Sequence, residues 1–499
     1  MNDAPGLNHV QALLDRFGGT LPHFIAGRPQ ASGEEFGPIV SPVDGRELGR
    51  LSEAGDAAVD EAVTAAIAAQ SQWWAKAPSE RREGMRSFAD TLLAHRDELG
   101  WLDTWDAGRP VRDTVTRDVD RIVDTLRYFS GLPEAMRGAV VPTDRSRINL
   151  TLREPLGVVA AIVPWNYPMV NAITKLAPAL ATGNGVVLKP AEQAPLSAFR
   201  IAELAVQAGL PEGLVNVING GGPGAGWRLV NHPGVSKIAF TGSTPVGRRI
   251  AAAAGERLVP VTLELGGKTP NIVFDDADLD RALDASLFTV FMNQGQTCTA
   301  GTRLLVQGSV AAEFEDRLVE RAAALVVGDP TQPETVIGPL VSEAQLDRAR
   351  RYVERGSDEG ARLATGGTRL DRPGFYLNPT VFVGVEPTMA IAREEIFGPV
   401  LSVLRFDDED EAVAIANASA FGLAAAAWTR DVQRSFRLVH NLQSGLVWVN
   451  TVHALAPNSP YGGYKDSGIG KEMGVEAIEE FTRVKSAWFG VAPWETPWT

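Results

Sequence analysis

The sequence predicts an α/β fold built on a doubly wound parallel sheet, and three observations predict it. From residue 157 onward, short β-branched runs alternate with helix-length segments, at Gly157 to Val163, Gly185 to Lys189, Leu214 to Ile218, Lys237 to Thr241 and Val259 to Leu263. Near-continuous apolar runs separated by helical stretches are the pattern of strands buried on both faces of a parallel sheet. A second series follows at Asn271 to Phe274, Arg303 to Gln307, Val400 to Phe406, Leu423 to Trp428 and Leu446 to Asn450, and predicts a second α/β unit. Third, 499 residues with 44% apolar and 22% charged side chains suit two or three domains of roughly 150 residues, each large enough for its own core.

Taken in chain order, Phe24-Ile25-Ala26-Gly27 reads as a short extended ribbon and Pro42-Val43-Asp44-Gly45 as a turn. Val59, Val63 and Ile67 then recur at four-residue steps, and Met85, Phe88 and Leu92 at three and four. These spacings predict two amphipathic helices before residue 100, with Ser79 placed to cap the second. Residues 140–156 alternate without a helical period (Val140-Val141, Ile148-Leu150-Leu152) and predict an antiparallel hairpin at an interface. Exposed tryptophans at the C-terminus, Trp488, Trp494 and Trp498, would mark a subunit contact.

Composition excludes several classes. Forty-seven basic against 61 acidic residues give a net charge of −14, which disfavours a nucleic-acid or anionic-membrane partner. The one cysteine, Cys298, leaves no intramolecular disulfide, Cys-based zinc cage or CxxC pair. The six histidines form no HxxxH or HxH pair, so no metal site is expected. The opening Met1-Asn2-Asp3-Ala4 has no basic region followed by an apolar one, and the longest apolar runs fall far short of the ~20 residues that span a bilayer. A soluble, cytoplasmic protein is the expectation.

Cys298 lies in Gly295-Gln296-Thr297-Cys298-Thr299-Ala300, where small polar neighbours leave the thiol approachable, unlike an inert core cysteine flanked by apolar periodicity. A thiolate nucleophile in a hydrolytic cycle needs a separate base. Glu264 fits, because it ends an apolar β-run shortly before Gly266-Gly267, at the carboxyl edge where parallel sheets put their ligands. Partial desolvation there raises a carboxylate toward a useful base. Gly220, Gly222 and Gly226 follow one strand. Gly242-Ser243-Thr244-Pro245-Val246-Gly247 joins another to a helix, whose N-terminus suits a pyrophosphate. Lys189 and Glu192, ending a third strand, offer a donor and a carboxylate for a ribose diol.

These residues belong to longer motifs. Val261 to Pro270, Phe291 to Ala300, Pro164-Trp165-Asn166-Tyr167-Pro168, Phe240 to Gly247, Glu394 to Pro399 and Tyr461 to Gly468 together resemble the NAD(P)-dependent aldehyde dehydrogenase superfamily, over nearly the whole chain. The resemblance implies a Rossmann-like cofactor domain (1–139 and 157–264), a catalytic α/β domain (265–464) and a small β oligomerisation and bridging region (140–156 and 465–499). It also implies a homodimer or homotetramer. By position, Cys298 is the nucleophile, Glu264 the deacylation base and Asn166 the oxyanion donor, with Lys175 and Glu472 as either a proton path to the base or a buried structural pair. The implied cofactor is NAD, with NADP less favoured because Glu192 would repel a 2′-phosphate. The implied cofactor contacts are Trp165, Lys189, Glu192, Gly222, Gly226, Phe240, Gly242, Ser243, Gly247, Glu395 and Phe397.

The implied substrate wall is Tyr167, Val170, Asn171, Thr174, Thr297, Thr299, Leu455 and Tyr461. The chain departs from the usual pattern at Thr269, at Tyr461 where Phe is common, and at Leu455 where an aromatic often closes the tunnel. A bulky aromatic is common at position 174 in enzymes for short aliphatic aldehydes, so Thr174 with Leu455 predicts a wider, more polar tunnel. None of these wall residues is Arg or Lys, which disfavours a carboxylate-tailed substrate, although Arg303 lies close enough in sequence to keep that open. The expected substrate is therefore a ring-bearing or medium-length neutral aldehyde. The alternatives are a broad-specificity scavenger, a semialdehyde dehydrogenase and a catalytically inactive family member. Glu264 argues against CoA-dependent capture of the thioester, which needs no water-activating base.

Overall fold

The computed structural model describes residues 4–31, 34–494, 496 and 498. Among the described residues the first sheet has eight strands, in the order Gly468–Ile469, Val261–Glu264, Val235–Thr241, Val158–Ile162, Gly185–Lys189, Val215–Val217, His23–Ile25, Arg28–Gln30. The five from Val261–Glu264 to Val215–Val217 are parallel and the outer ones antiparallel. The predicted ribbon at residues 24–27 thus becomes an edge hairpin of this sheet. From Val158–Ile162 the chain builds outward through two strands, then returns to the other side with Val235–Thr241. The order therefore reverses between Ile162 and its partner Phe240. A crevice outside the carboxyl ends at such a switch point is where an open α/β sheet binds ligands.

Helices Pro168–Ala181, Leu196–Gln207, Trp227–Asn231 and Thr244–Glu256 connect these strands. The first two are anchored by buried carboxylates of the helix Arg96–Ala107. Asp103 accepts from the Met169 N–H (3.3 Å) and Asp106 from the Leu196 N–H (3.0 Å), each taking a first-turn donor that has no partner within its own helix.

Two details of the N-terminal helices differ from expectation. The helix Asp56–Ala75 buries Val59, Ala62, Val63, Ala66, Ala69 and Trp73, whereas Ile67 is 48% exposed. Two four-residue steps leave a side chain rotated by about 80° from the starting one at 3.6 residues per turn, so the buried stripe passes to Ala66 and Ala69. The second helix starts at Pro78, and the Glu80 carboxylate accepts the Ala77 N–H (2.7 Å). Ser79 therefore sits inside the first turn and is not the cap; proline at the first helical position and the reaching glutamate set this start.

The second sheet runs Arg362–Thr365, Thr380–Val383, Val400–Phe406, Arg303–Gln307, Pro270–Val273, Ala424–Trp428, Leu446–Val449, parallel except for its first strand. Its five predicted strands are present. Arg362–Thr365 and Thr380–Val383 were not foreseen, the latter being a four-residue run between Pro379 and Gly384.

A third, antiparallel sheet carries the predicted hairpin. Val140–Val141 pairs with Arg147–Pro155, which pairs along its whole length with Thr482–Gly490, from Thr482 opposite Pro155 to Gly490 opposite Arg147. Trp488, Trp494 and Trp498 are 59%, 81% and 92% exposed. No helix among the described residues is long and apolar enough to cross a membrane.

Candidate active site

Glu264 is the last residue of its strand, paired with Thr241 on one side and Gly468 on the other. This strand ends one residue later than the sequence suggested, at Glu264, which puts the carboxylate on the carboxyl edge of the sheet itself. Two strands over, beyond Val235–Thr241, the strand Val158–Ile162 delivers Trp165, Asn166 and Tyr167 in the short link to the helix Pro168–Ala181. From the second sheet comes the loop that carries Cys298. After the helix Leu279–Phe291 the backbone turns through Asn293 (φ 50°) and Gln294 (φ 58°), left-handed conformations that cost non-glycine residues free energy. Gly295 (φ 71°) follows, where a Cβ would lie 2.2 Å from the Gly398 carbonyl.

Asn166 ties the two sheets together. Its side-chain amide donates to the Gln296 carbonyl (2.9 Å) and its Oδ1 accepts from Asn171 (3.2 Å). Its own carbonyl accepts from Asn293 Nδ2 (2.8 Å) and Arg109 (3.1 Å). Gly267 explains the glycine pair after Glu264, because a Cβ there would stand 2.2 Å from the Cys298 carbonyl.

These segments enclose a cavity of about 1400 Å³. Of the residues singled out in the sequence, Trp165, Asn166, Tyr167, Val170, Asn171, Thr174, Gly242, Ser243, Glu264, Thr297, Cys298, Thr299, Glu395, Phe397, Leu455, Tyr461 and Glu472 line it. Lys175 stands behind the wall in a buried ion pair with Glu472, so the structural pair exists and one member faces the cavity. Lys189, Glu192, Gly222, Gly226, Phe240 and Gly247 are not in this lining. Lys189 pairs with Glu192 at 3.3 Å.

The two glycine loops prove different. Glu53 already accepts the Gly221 (2.8 Å) and Ala225 (2.9 Å) N–H groups, so the Gly222–Gly226 turn offers no ready anion cradle at those donors. At the other loop, Ser243 caps the helix Thr244–Glu256 with its hydroxyl unbonded to the helix, and both Ser243 and Thr244 line the cavity. Gly247 lets that helix pack on Leu265, whose Cδ2 a Cβ would approach to 2.4 Å.

Burial sets the electrostatics. Glu264 is 3% exposed and neither carboxylate oxygen has a hydrogen-bond partner among the described residues. Desolvation holds its carboxyl well above the ordinary range, Glu472 adds to the shift and Lys175 opposes it. Burial pushes the Cys298 thiol up to about 11, against the Tyr461 hydroxyl 3.1 Å from the sulfur, which lowers it. Glu395 is likewise raised by burial, while accepting the Gly267 N–H (3.0 Å). Phe397, at φ 62°, places its ring edge-on to Trp165 with centroids 5.3 Å apart. Tyr167 shares a hydrogen with Thr297 (2.9 Å), and the Thr174 hydroxyl donates back to the Val170 carbonyl (2.8 Å). Thr174 therefore lines the cavity without adding a free donor to it.

The aldehyde dehydrogenase family profile matches residues 29–487. The chain belongs to the aldehyde dehydrogenase family. It is 45% identical over 479 residues to a betaine aldehyde dehydrogenase of Cereibacter sphaeroides, covering 95% of this chain and 98% of that one. Among solved structures, the NAD+ complex of an aldehyde dehydrogenase from Bacillus cereus superposes with a TM-score of 0.94 at 39% identity, covering 97% and 98% of the two chains. The P. syringae indole-3-acetaldehyde dehydrogenase in complex with NAD+ and IAA does so with 0.94 at 40%, covering 97% and 99%.

Several residues of this aldehyde dehydrogenase site escaped the sequence reading. Arg109 makes a buried two-point pair with Asp118 (3.0 and 2.6 Å), stacks 3.9 Å over the Tyr167 ring and holds the Asn166 carbonyl. His453 bridges the Thr289 (2.9 Å) and Thr299 (3.4 Å) hydroxyls, and burial pulls it down to about 4, so it is neutral. Arg117 and Arg121 line the cavity beside Asp113, Asp120 and Asp124, a charged stretch absent from the predicted wall. Arg303, by contrast, is spent on the Lys268, Ile415 and Ala416 carbonyls away from the cavity, so it offers nothing to a substrate carboxylate. The surrounding sequence gives no periodicity that signals any of these, because each works through a partner from another segment.

The close passage of Gly267 under the nucleophile yields a direct test. Gly267→Ala should push the Cys298 loop aside and lower kcat/KM by about tenfold or more, since displacements on the order of 1 Å carry such penalties. Steady-state NADH formation measures it, and a wild-type kcat/KM in this variant would contradict the contact.

Proposed function

We propose that this enzyme oxidises an aldehyde to a carboxylic acid through a thiohemiacetal and then a thioester on Cys298, released by water that Glu264 activates. The observation that carries the reading is the convergence of the Cys298 thiol, the unpartnered Glu264 carboxylate and the Asn166 amide on one cavity at the switch point of the first sheet. The cofactor is NAD, which supplies the hydride acceptor when bound. The residues fit it. The first turn of the helix Thr244–Glu256 and the Ser243 hydroxyl offer donors for a pyrophosphate, Glu395 and Phe397 a carboxylate and a ring on the same cavity, and Glu192 a carboxylate for a free ribose 2′-hydroxyl.

Each residue then has a task. The Cys298 thiolate adds to the carbonyl carbon. One Asn166 Nδ2 hydrogen is bonded to Gln296, and the second, with the Cys298 N–H, is the donor set for the oxyanion. Glu264 takes a proton from water attacking the thioester, and its two unbonded oxygens leave it free to do so. The Lys175–Glu472 pair behind it tunes that base: the Glu472 charge raises Glu264 and Lys175 counters it. The presence of this base favours hydrolysis over CoA capture.

For the substrate we infer a ring-bearing or medium-length neutral aldehyde. Thr174 and Leu455 leave width, and on the cavity Arg117 and Arg121 stand against Asp113, Asp120 and Asp124, a lining of both signs that gives no net charge to select a charged substrate, although relatives are named for betaine aldehyde. The exposed apolar side chains of the third sheet, with Val432, Phe436 and Val439 on the helix Val432–Asn441, support a homodimer or homotetramer.

Glu264→Gln should leave acylation intact and stall deacylation, giving an NADH burst of about one equivalent per active site and then a slow phase. In the wild type, deacylation requires the carboxylate form. Because that group is raised, the rate should fall with decreasing pH already above the ordinary glutamate range. Steady turnover of the variant at the wild-type rate, with no burst, would remove Glu264 from the role. On substrate, kcat/KM for a benzaldehyde-type aldehyde or hexanal should exceed that for betaine aldehyde by about tenfold or more. A preference for betaine aldehyde or acetaldehyde would overturn that choice.

A further inference from the structure

Tyr461 occupies a wall position where a phenylalanine would fill the same space, yet its hydroxyl lies 3.1 Å from the Cys298 sulfur and bonds to nothing else among the described residues. The chain holds it there. The Glu472 N–H donates to the Tyr461 carbonyl (3.0 Å), and the ring packs on the main core of the first sheet. The sulfur has no imidazole to pair with, because both ring nitrogens of His453 face the Thr289 and Thr299 hydroxyls. We propose that the Tyr461 hydroxyl is a catalytic hydrogen-bond donor to the Cys298 sulfur, the group that stabilises the thiolate before it attacks. The inference rests on Cys298 being the nucleophile of the function proposed above.

The proton accounting is simple. In the resting thiol, S–H donates to the phenol oxygen. On ionisation the thiol proton leaves to water, and the phenol O–H turns to donate to the sulfur anion. The phenol keeps its own proton throughout, since burial raises its pKa well above the ordinary value. The other charged groups facing the pair are Glu264, which acts on both, Glu395, which acts on the sulfur, and Arg121, which acts on both with the opposite sign. Burial disfavours the thiolate, as does whatever negative charge Glu264 and Glu395 carry beyond what Arg121 offsets, and the phenol is the neutral donor in direct contact that counters them. The same contact serves the thiolate released when the thioester is hydrolysed.

The test is alkylation of the protein by iodoacetamide between pH 6 and 10, with neither aldehyde nor cofactor present. A hydrogen bond to an ionised group is worth about 10- to 100-fold in such an equilibrium, so Tyr461→Phe should alkylate about 10- to 100-fold more slowly at pH 7.5, and the lag should persist at each pH up to 10. Tyr461→Leu should show the same slowing, because the hydroxyl and not the ring is at issue. An unchanged rate across this pH range in Tyr461→Phe, or slowing confined to Tyr461→Leu, would overturn the proposal. Since alkylation needs neither NAD nor aldehyde turnover, this result is separate from the Glu264→Gln burst, and either reading can fail without the other.

Discussion

Asn166 bonds at its side-chain amide, its side-chain oxygen and its carbonyl, and through these contacts the carboxyl edge of the first sheet meets the Cys298 loop of the second. The two sheets share no strand, so the spacing between Glu264 on one and Cys298 on the other depends on contacts of this kind. Arg109 braces the same carbonyl from a third segment while its charge is met by Asp118. Gly267 then permits the closest approach, its bare Cα passing where any side chain would collide with the Cys298 carbonyl. The strained turn at Asn293 and Gln294 is affordable only because Asn293 is itself fastened to the Asn166 and Gln296 carbonyls.

Charge burial is the second theme, and it separates bracing from chemistry. Arg109–Asp118 and Lys175–Glu472 are buried and paired, and removing one partner of such a pair costs about 3–5 kcal/mol by leaving the other uncompensated. Glu264 is buried and Cys298 half-buried, neither with a neutralising partner in contact, so each is held toward its neutral form. A base raised in this way binds a proton more readily than an exposed glutamate, and a thiol raised in this way needs a local donor to ionise.

Much of this was legible in the sequence, for identifiable reasons. Arg303–Gln307, Val400–Phe406 and Gly185–Lys189 are strands bounded as expected, because continuous apolar β-branched runs have no other buried extended use in an α/β chain. Thr380–Val383 was hidden by its brevity, and the start of the helix at Pro78 by a glutamate reaching backward, which no apolar spacing records. At the site, Cys298 stood out by its small, polar neighbours and Glu264 by ending an apolar β-run just before two glycines, whereas Asn166, between Trp165 and Tyr167, was marked only by the family resemblance. Arg109, Asp118, His453 and Arg121 did not stand out, since their significance lies in partners that the fold brings from elsewhere. At the Gly222–Gly226 loop the N–H groups of Gly221 and Ala225 are taken by Glu53, some 170 residues away in sequence, a pairing that no local pattern records.

The central claim is that the reaction passes through an acyl group on the one cysteine. Intact-protein mass spectrometry of Glu264→Gln, mixed with NAD and a benzaldehyde-type substrate and quenched in acid, tests it most directly. The account predicts a mass increase equal to one acyl group per chain, mapped by peptide digestion to Cys298 and lost on treatment with hydroxylamine. NADH formation with an unmodified Cys298, or with the acyl group on another residue, would contradict it.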